Sequence, residues 1–264
     1  MVPRLYVPLL DAGSRTVTLP DDEAAHLQRV LRVKAGQAVR LFDGRGGEVD
    51  ARVISADRAG VAVEIGEPVV AAIEWPVRVT LAQAVLKGDK IDDVIRDAVM
   101  MGVAAIQPLL TARTEVPEAA FSRGRRVERW QRIAVASAKQ CGRAVVPRVL
   151  APCSLQAFLG AGLHGAALML VEPAAAIPGK GSWPQAEIPS SATLLVGPEG
   201  GWAEEELALA LEVGCLALTL GPRTLRADAA AIVALSVMQF VWGLGAGDQG
   251  PGTWRQAPVS SSGF

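Results

Sequence analysis

The stretch LLVGPEGGWAEEELALA, residues 194–210, joins an apolar run to a helix-like pattern through a turn rich in glycine. Many nucleotide sites begin in this way, because bare backbone N–H groups at a helix N-terminus bind phosphate. This turn, however, contains Glu199 and no lysine, and it matches neither GxxxxGK[ST] nor GxGxxG. Glu204, Glu205 and Glu206 follow directly and add negative charge. The stretch therefore disfavours a polyphosphate ligand.

Two more strand-like runs end in sharply turning loops, LMLVEP at residues 168–173 and LTLGPRTLR at residues 218–226. Ligands of open α/β sheets bind beyond the carboxyl ends of the strands. Glycines let the backbone approach an adenine and a ribose closely, and a carboxylate tolerates a cation. S-adenosylmethionine has these groups and no phosphate, so it fits the composition of the loops. Alternatively, GPEGG is only a tight strand-to-helix connection with acids at the helix N-terminus.

The composition allows a large core and limits the function classes. The chain has 264 residues, of which 50% are hydrophobic and 20% charged, and its formal net charge is −1. One large or two unequal domains are expected, and nucleic-acid binding would require a local basic patch. The three cysteines have no CxxC spacing, so we expect neither a disulfide framework nor a metal site. We expect a cytoplasmic protein with no export signal and no membrane span.

The hydrophobic pattern divides the chain into two parts. Residues 4–67 contain short alternating runs that predict a small β-barrel or sandwich, interrupted by one helix over residues 20–36. After residues 66–76, strand-like and helix-like runs alternate as far as residue 243, which predicts an α/β domain with a mostly parallel sheet. The tail, from residue 245, is rich in Gly, Ser and Pro, and we expect it to be loose.

Several motifs together resemble the 16S ribosomal RNA uridine-N3 methyltransferases, the RsmE family of the SPOUT superfamily. The segments GPEGGW and LGPRTLRADAAAIVAL are similar to the closing signature of that family. HLQRVLR, LFDG, QAVLKGDKIDDVIRDAVMMGV and WQRIAVASAKQCGRAVVP also resemble family segments, in the same order. The resemblance covers residues 6–243. One departure is LRADAA, where the family usually has Leu-Arg-Thr-Glu-Thr-Ala, so Asp228 has a shorter reach than the usual glutamate.

The resemblance implies a fold and an activity. We expect a PUA-like, RNA-binding β-barrel over residues 1–72, a SPOUT α/β methyltransferase domain with a C-terminal trefoil knot over residues 73–244, and a flexible tail over residues 245–264. The family acts as a homodimer, binds S-adenosylmethionine in the knot and methylates N3 of a specific uridine in the decoding region of 16S rRNA in the small ribosomal subunit.

The resemblance assigns the cofactor contacts position by position, and the chemistry of the reaction adds catalytic roles. Because N3 of uridine carries an imide proton near neutral pH, Arg226 is expected to stabilise the developing anion, and Asp228 or Glu199 to accept the proton. A salt bridge for Arg226 and a helix cap for Asp228 are the structural alternatives. The expected cofactor contacts are Val171, Glu172, Val196, Gly197, Glu199, Gly200, Gly201, Leu220, Gly221, Leu225, Arg226 and Ala229.

Basic residues cluster in two places that can bind RNA phosphates. Between Ser122 and Pro147 there are seven basic residues and a single acid, Glu128. Positions 125, 129, 132, 139 and 143 recur at helical spacing, which predicts a basic stripe along one helix. A smaller patch lies beside His26, and Lys87 and Arg113 are weaker candidates. A solvated helix face explains either cluster equally simply. The RNA-binding candidates are Arg29, Arg32, Lys87, Arg123, Arg125, Arg126, Arg129, Arg132, Lys139 and Arg143.

The last helix-like segment, ADAAAIVALSVMQFVWG, is apolar almost all round. Such a helix is buried on several sides, so we expect it to form a dimer interface, or alternatively only the core of its own chain. The leading function is the methyltransferase. A non-catalytic RNA-binding or ribosome-assembly factor that retains the fold is the alternative, and the missing phosphate fingerprint disfavours a nucleotide-dependent metabolic enzyme.

Overall fold

The structure is a computed structural model that describes residues 2–11, 13–57, 60–117, 121, 124–175 and 188–242. The first sheet contains five strands in the order β1-β3-β4-β5-β2; β1 is parallel to β3 and the other pairs are antiparallel. Its elements are β1 (Arg4–Tyr6), β2 (Thr16–Thr18), α1 (Asp21–His26), a π-helical turn (Leu27–Leu31), β3 (Ala38–Phe42), β4 (Glu48–Asp57) and β5 (Gly60–Pro68).

Apolar and polar side chains alternate along the strands, and the apolar ones form the core of this sheet. In β4, Val49, Ala51 and Val53 are buried, whereas Asp50 and Arg52 between them are exposed, as a strand with one face on a core requires. The predicted strands are confirmed, but the described strands show no ladder between β1 and β2 that would close a barrel. The predicted helix is shorter than expected, since it ends at Arg32, which adopts a left-handed conformation with φ 50°.

The second sheet is entirely parallel, with strand order β12-β10-β11-β6-β7-β8 and β9 paired to β7. This confirms the predicted α/β class. The sequence analysis missed four short elements, namely β1, β8, β9 and α4. The elements are β6 (Arg78–Ala84), α2 (Lys90–Met100), β7 (Ala105–Leu110), α3 (Arg125–Cys141), β8 (Arg148–Val149), β9 (Cys153–Ser154), α4 (Leu155–Gly160), β10 (Ala166–Leu170), β11 (Ser191–Val196), α5 (Glu204–Glu212), β12 (Leu216–Leu218) and α6 (Ala227–Val241).

Helices cover both faces of the parallel sheet. Successive side chains of a strand point to opposite faces, so Leu194 packs in a core with α2, α3 and α6, while Leu195 packs with α4 and α5. Both leucines are completely buried. Burial on both faces explains why β11 is an uninterrupted apolar run.

The two sheets are joined through the C-terminal end of α3. The Arg4 guanidinium donates to both Glu48 carboxylate oxygens at 2.9 Å and to the carbonyl oxygens of Ala138 and Lys139 at 2.9 and 3.0 Å. These carbonyls lie in the last turn of the helix, where most carbonyls have no donor within the helix. Lys139 in turn donates to Glu23 of α1 at 2.7 Å. The first sheet is therefore fixed to α3 by charged hydrogen bonds.

Helix α6 has one buried and one exposed apolar side. Ala231, Ala234 and Leu235 are buried in the core of the parallel sheet. Phe240, by contrast, is 64% exposed and Val233 is 39% exposed. The core of its own chain thus accounts for only part of the apolar surface of this helix.

Among the described residues, no helix is long and apolar enough to cross a membrane. The tail predicted over residues 245–264 lies outside the described part of the chain.

The start of β10 depends on a glycine, which gives a stability prediction. Gly165 has φ +73°, and a Cβ there would lie 2.0 Å from the Ser191 carbonyl oxygen. Gly162 has a similar φ of +87° but open space around it. We expect Gly162→Ala to lower the free energy of unfolding by about 1–2 kcal/mol and Gly165→Ala by more than about 4 kcal/mol. Urea denaturation measures both losses of unfolding free energy. Equal losses in the two variants would contradict the close approach of Gly165 to the Ser191 carbonyl.

Candidate active site

Three loops that follow β10, β11 and β12 enclose a cavity of about 950 Å³. Parallel strands end at the same edge of a sheet, so these loops meet although they are far apart in sequence. The volume is within the range of small-molecule and cofactor sites. The lining comes from residues 170–175, 196–199, 201–204, 207, 208, 211, 220, 223–228 and 230, together with Lys90 and Arg113.

The turn after β11 has a shape that requires glycine. The Gly201 N–H donates to the Pro198 carbonyl at 3.0 Å, and Gly201 has φ +68°. A Cβ on Gly197 would lie 3.1 Å from the Trp202 ring. The Trp202 indole N–H donates to the Leu170 carbonyl at 2.8 Å and so ties this turn to the end of β10. The indole therefore fixes the separation of two loops that line the cavity.

One of the acids at the start of α5, Glu206, serves the fold. Glu206 accepts from the Ala203 N–H at 3.0 Å and from the Ala112 N–H at 2.8 Å. Arg113, the next residue, donates to the Gly200 carbonyl at 2.7 Å. An acid in the first turn also interacts favourably with the helix dipole. The loop after β7 is thus held against the glycine-rich turn, and Glu206 acts as a helix cap.

Glu199 forms hydrogen bonds with the segment that begins α2. Its Oε1 atom accepts from Lys90 Nζ at 3.0 Å and from the Lys87 N–H at 3.3 Å. Partial burial raises the pKa of this carboxyl, but its own backbone N–H, the Lys90 ammonium and the Lys87 N–H outweigh burial and lower the pKa below its ordinary value. Glu199 is therefore an anion at neutral pH.

Arg226 and Asp228 form a two-point ion pair at the start of α6. The guanidinium donates to the two carboxylate oxygens at 3.0 and 2.8 Å. This pairing is the main cause that lowers the pKa of Asp228 and raises the pKa of Arg226. The Arg226 side chain is 73% exposed and that of Asp228 25%. The salt bridge considered as the structural alternative for Arg226 is therefore present, at the wall of the cavity.

Most of the predicted cofactor residues line this cavity. The exceptions are Gly200, Gly221 and Ala229, which are absent from its lining. Gly200 faces the side chain of Arg113 instead. The proposed catalytic residues Arg226, Asp228 and Glu199 all line the cavity. The cofactor candidates that line the cavity are Val171, Glu172, Val196, Gly197, Glu199, Gly201, Leu220, Leu225 and Arg226.

Sequence reasoning missed several lining residues. Lys90 at the start of α2 was assigned no role, Arg113 was expected only as a weak RNA contact, and Trp202 was part of the GPEGGW motif with no role of its own. The clue for Lys90 is its position, because a cation in the first turn of a helix interacts unfavourably with the dipole. Such a residue requires an anionic partner from elsewhere, and here that partner is Glu199.

The cavity suits a cofactor that has charges of both signs. Glu172, Glu199 and Asp228 can face a sulfonium or an ammonium, and Arg113, Arg223 and Arg226 can face a carboxylate. The glycines and the apolar side chains Leu220 and Leu225 suit an adenosine. S-adenosylmethionine combines these groups, so the residues fit it. Among the described residues, no group of His, Cys, Asp and Glu could hold a metal ion.

The predicted RNA-binding residues fall into three groups. Arg29, Arg32, Arg125, Arg126 and Arg132 are exposed. Lys87 and Arg129 are exposed as well but form ion pairs, Lys87 with Glu115 at 2.7 Å and Arg129 with Asp89 at 3.3 Å and with Asp92. Lys139 is mostly buried against Glu23. Arg123 lies outside the described residues.

Arg143 requires a correction. It lies beyond the end of α3, after the left-handed Gly142, and does not continue the stripe of the helix. It is buried and donates to both carboxylate oxygens of Glu74 and to the carbonyls of Val99 and Val103 at the end of α2. A guanidinium used in this way cannot reach a phosphate, so we exclude Arg143 from the RNA-binding set.

Comparisons with known proteins assign the family. The model of the RNA methyltransferase domain matches residues 73–239, and that of the RNA methyltransferase PUA domain matches residues 19–66. A ribosomal RNA small subunit methyltransferase E of Synechocystis is 37% identical, over 89% of this chain and 77% of its own length. The chain belongs to the ribosomal RNA small subunit methyltransferase E family. The resemblance to the RsmE family is thereby confirmed.

Solved structures agree with this RsmE assignment. A ribosomal RNA small subunit methyltransferase E of Neisseria gonorrhoeae, bound to S-adenosylmethionine, is 35% identical with a TM-score of 0.81 and covers 92% of this chain and 99% of its own. A methyltransferase of Legionella pneumophila in complex with the same cofactor is 31% identical, with a TM-score of 0.82 and coverage of 90% and 97%. The fold is thus an α/β methyltransferase with an N-terminal PUA-like domain.

The contact between Gly197 and Trp202 gives a prediction about cofactor affinity. In Gly197→Ala the new methyl group meets an indole that its hydrogen bond to Leu170 holds in place. We expect the affinity for S-adenosylmethionine, measured by calorimetry, to fall about tenfold, or roughly 1.4 kcal/mol. Gly160→Ala, which has open space and an ordinary φ, is the matched control. Unchanged affinity in Gly197→Ala would show that the indole moves freely.

The buried position of Arg143 gives a prediction that separates folding from RNA binding. Arg143→Gln leaves Glu74 without its partner, and breaking a buried ion pair destabilises by about 3–5 kcal/mol. Because Glu74 remains partly exposed, we expect a loss at the lower end of this range. Thermal unfolding measures the loss, and the exposed Arg126→Gln is the control. A fully stable Arg143→Gln variant would contradict the structural role.

Proposed function

We propose that this protein transfers a methyl group from S-adenosylmethionine to N3 of a uridine in the decoding region of 16S rRNA, within the small ribosomal subunit. The observation that carries the proposal is the cavity at the three strand ends, whose wall combines glycines, carboxylates and guanidinium groups. Relatives named ribosomal RNA small subunit methyltransferase E support the substrate. A ribosomal substrate also supports a cytoplasmic location.

The chemistry divides between removal of a proton and stabilisation of charge. The bound cofactor supplies an electrophilic methyl group on a sulfonium. The uridine imide has a proton at N3 near neutral pH, so a group must accept it, and the nitrogen must be aligned with the methyl carbon. Asp228 and Glu199 are ionised and line the cavity, so either can accept this proton, directly or through water. Arg226 can stabilise the developing anion.

The pairing of Arg226 with Asp228 bears on these roles. Because the guanidinium lowers the pKa of Asp228, this carboxylate is a weaker base than an isolated aspartate. A substrate anion that attracts the exposed Arg226 would loosen the pair and return basicity to Asp228. Asp228, the shorter acid in LRADAA, therefore remains compatible with turnover, provided that the Arg226 guanidinium turns toward the uracil ring of the substrate.

RNA binding in this proposal uses the exposed N-terminal half of α3. Arg125, Arg126 and Arg132 project from this helix, and Arg129 contacts Asp89 beside Lys90, which lines the cavity. The basic surface therefore extends to the edge of the cavity. Arg29 in the π-helical turn and Arg32 directly after it would form a second contact with phosphates.

Finer features of the family complete the proposal. We infer domains over residues 1–72 and 73–244 and a trefoil knot in the C-terminal part. Membership of the family supports the threaded chain. We also infer a homodimer, supported by the exposed Val233 and Phe240 of α6. Light scattering of the purified chain tests the dimer.

The decisive experiment uses small ribosomal subunits that lack the modification. Incubation with the purified protein and S-adenosylmethionine should add one methyl group, which nucleoside mass spectrometry should identify as N3-methyluridine. Cofactor binding with no methyl transfer to any RNA would instead favour the alternative function, a ribosome-assembly factor that retains the fold. The departure LRADAA is the feature that motivates this alternative.

Both residues of the ion pair should affect turnover more strongly than cofactor affinity. We expect Arg226→Gln and Asp228→Asn to lower kcat by about 10²-fold or more, since a general base contributes about 10²–10⁴ and a group that stabilises developing charge about 10²–10³. Cofactor affinity should change by less than about tenfold, because most contacts to an adenosine come from the loops. Single-turnover kinetics and calorimetry separate the two effects. Equal losses in affinity and turnover would assign the pair to binding only.

The α3 surface should control the salt dependence of RNA binding. The logarithm of the binding constant falls linearly with the logarithm of the salt concentration. Each lost phosphate contact makes this slope shallower by about 0.9 on a duplex and about 0.7 on a single strand. We therefore expect Arg125→Gln with Arg132→Gln to weaken binding and to reduce the slope by between one and two. Arg15→Gln, an exposed arginine paired with Glu64, is the control. An unchanged slope would exclude α3 from the RNA surface.

A further inference from the structure

Lys90 occupies a position that the helix itself disfavours. It is the first residue of α2, directly after the N-cap Asp89, where the positive end of the helix dipole repels a cation. Asp92 and Asp93 in the same turn have the charge that such a position favours. An interaction outside the helix must therefore account for this lysine.

That interaction is with the glycine-rich turn. Lys90 Nζ lies 3.0 Å from Glu199 Oε1, across a sequence separation of 109 residues. The Lys90 side chain lines the cavity, and its charge also acts on Asp228 at the start of α6. The ammonium thus pairs with the carboxylate of one loop and has a smaller electrostatic effect on the carboxylate of another.

The start of α2 is a rigid support for this ammonium. The Trp130 indole N–H donates to Asp92 at 3.1 Å, and the Arg129 guanidinium pairs with Asp89 and Asp92. Trp130 is almost completely buried. Helix α3 therefore holds the start of α2, from which Lys90 extends, through one buried indole and one guanidinium.

We propose that Lys90 is a positioning residue of the methyl-transfer site, which holds the Glu199 carboxylate at the cavity wall and thereby sets the shape of the glycine-rich turn. The inference rests on the proposed function for its role in turnover. Its structural part, the coupling of Lys90 to Glu199, is independent of the RNA substrate. Lys90 transfers no proton in this proposal and acts only through Glu199.

The pH dependence of turnover reports on this role. Lys90 is one of the groups that lower the pKa of Glu199, so Lys90→Gln should raise that pKa. If turnover requires the Glu199 anion, the acid limb of the kcat profile should move to higher pH, whereas Lys90→Arg should keep the limb in place. The other charged groups around Glu199 and the cavity wall are Lys87, Arg113, Glu115, Glu172, Glu204, Arg223, Arg226 and Asp228.

A double-mutant cycle tests the coupling directly. Calorimetry with S-adenosylmethionine would compare the full-length wild type, Lys90→Gln, Glu199→Gln and the double variant. We expect Lys90→Gln to weaken affinity about tenfold, Lys90→Arg to restore most of it, and the double variant to bind no worse than Glu199→Gln. The pair is more than a third exposed on both sides, so the variants should remain folded. Arg96→Gln, on the same helix with its own partners Asp93 and Asp97, is the matched control.

The outcomes distinguish this proposal from the proposed function. Additive losses in the double variant, or an equal loss in Arg96→Gln, would overturn the positioning role. An acid limb that stays in place in Lys90→Gln would overturn the part of the proposal that concerns turnover, because turnover would then not depend on the Glu199 anion. If the wild type binds the cofactor but methylates no RNA, the proposed function fails while the cycle still decides the coupling. If the wild type does not bind the cofactor, both fail, since Lys90 then positions nothing.

Discussion

The parallel alignment of β6, β10, β11 and β12 is the constraint on which the rest of the structure depends. Because these strands are buried on both faces, helices cover each side and the register of the strands is fixed. Their carboxyl ends then lie at one edge, and only loops can project there. Three segments separated by up to about fifty residues thus form a single cavity. The Trp202 indole, through its hydrogen bond to Leu170, sets the distance between two of them.

Charge pairing gives this edge its chemical character. The carboxylates of Glu199 and Asp228 each have a cationic partner, Lys90 and Arg226 respectively. Both pKa values are lowered, so the wall keeps its charges through the neutral range and loses them only as the pH falls through the lowered values. A site with paired charges of both signs is suited to a zwitterionic cofactor.

The sequence predicted the part of this arrangement that depends on local pattern. The α/β alternation, the three strand-end loops and most of their lining residues could be identified because apolar runs and glycine-rich turns are local signals. Lys90 and Arg113 could not, since they reach the cavity from elements about a hundred residues away. Arg143 looked like part of a basic stripe because helical spacing was extended past Gly142, where the helix has already ended. Burial of a guanidinium against carbonyls has no signature in a single sequence.

Helix α3 has a consequence for how substrates are selected. One end is fixed to the first sheet through Arg4, Glu23 and Lys139, and the other contacts the start of α2 through Arg129. The ten residues between Arg129 and Lys139 span about 15 Å of rigid helix. The helix therefore acts as a spacer of set length between the two parts of the molecule. An RNA that touches both must bridge that gap, so the protein can discriminate among targets by their dimensions as well as by their bases.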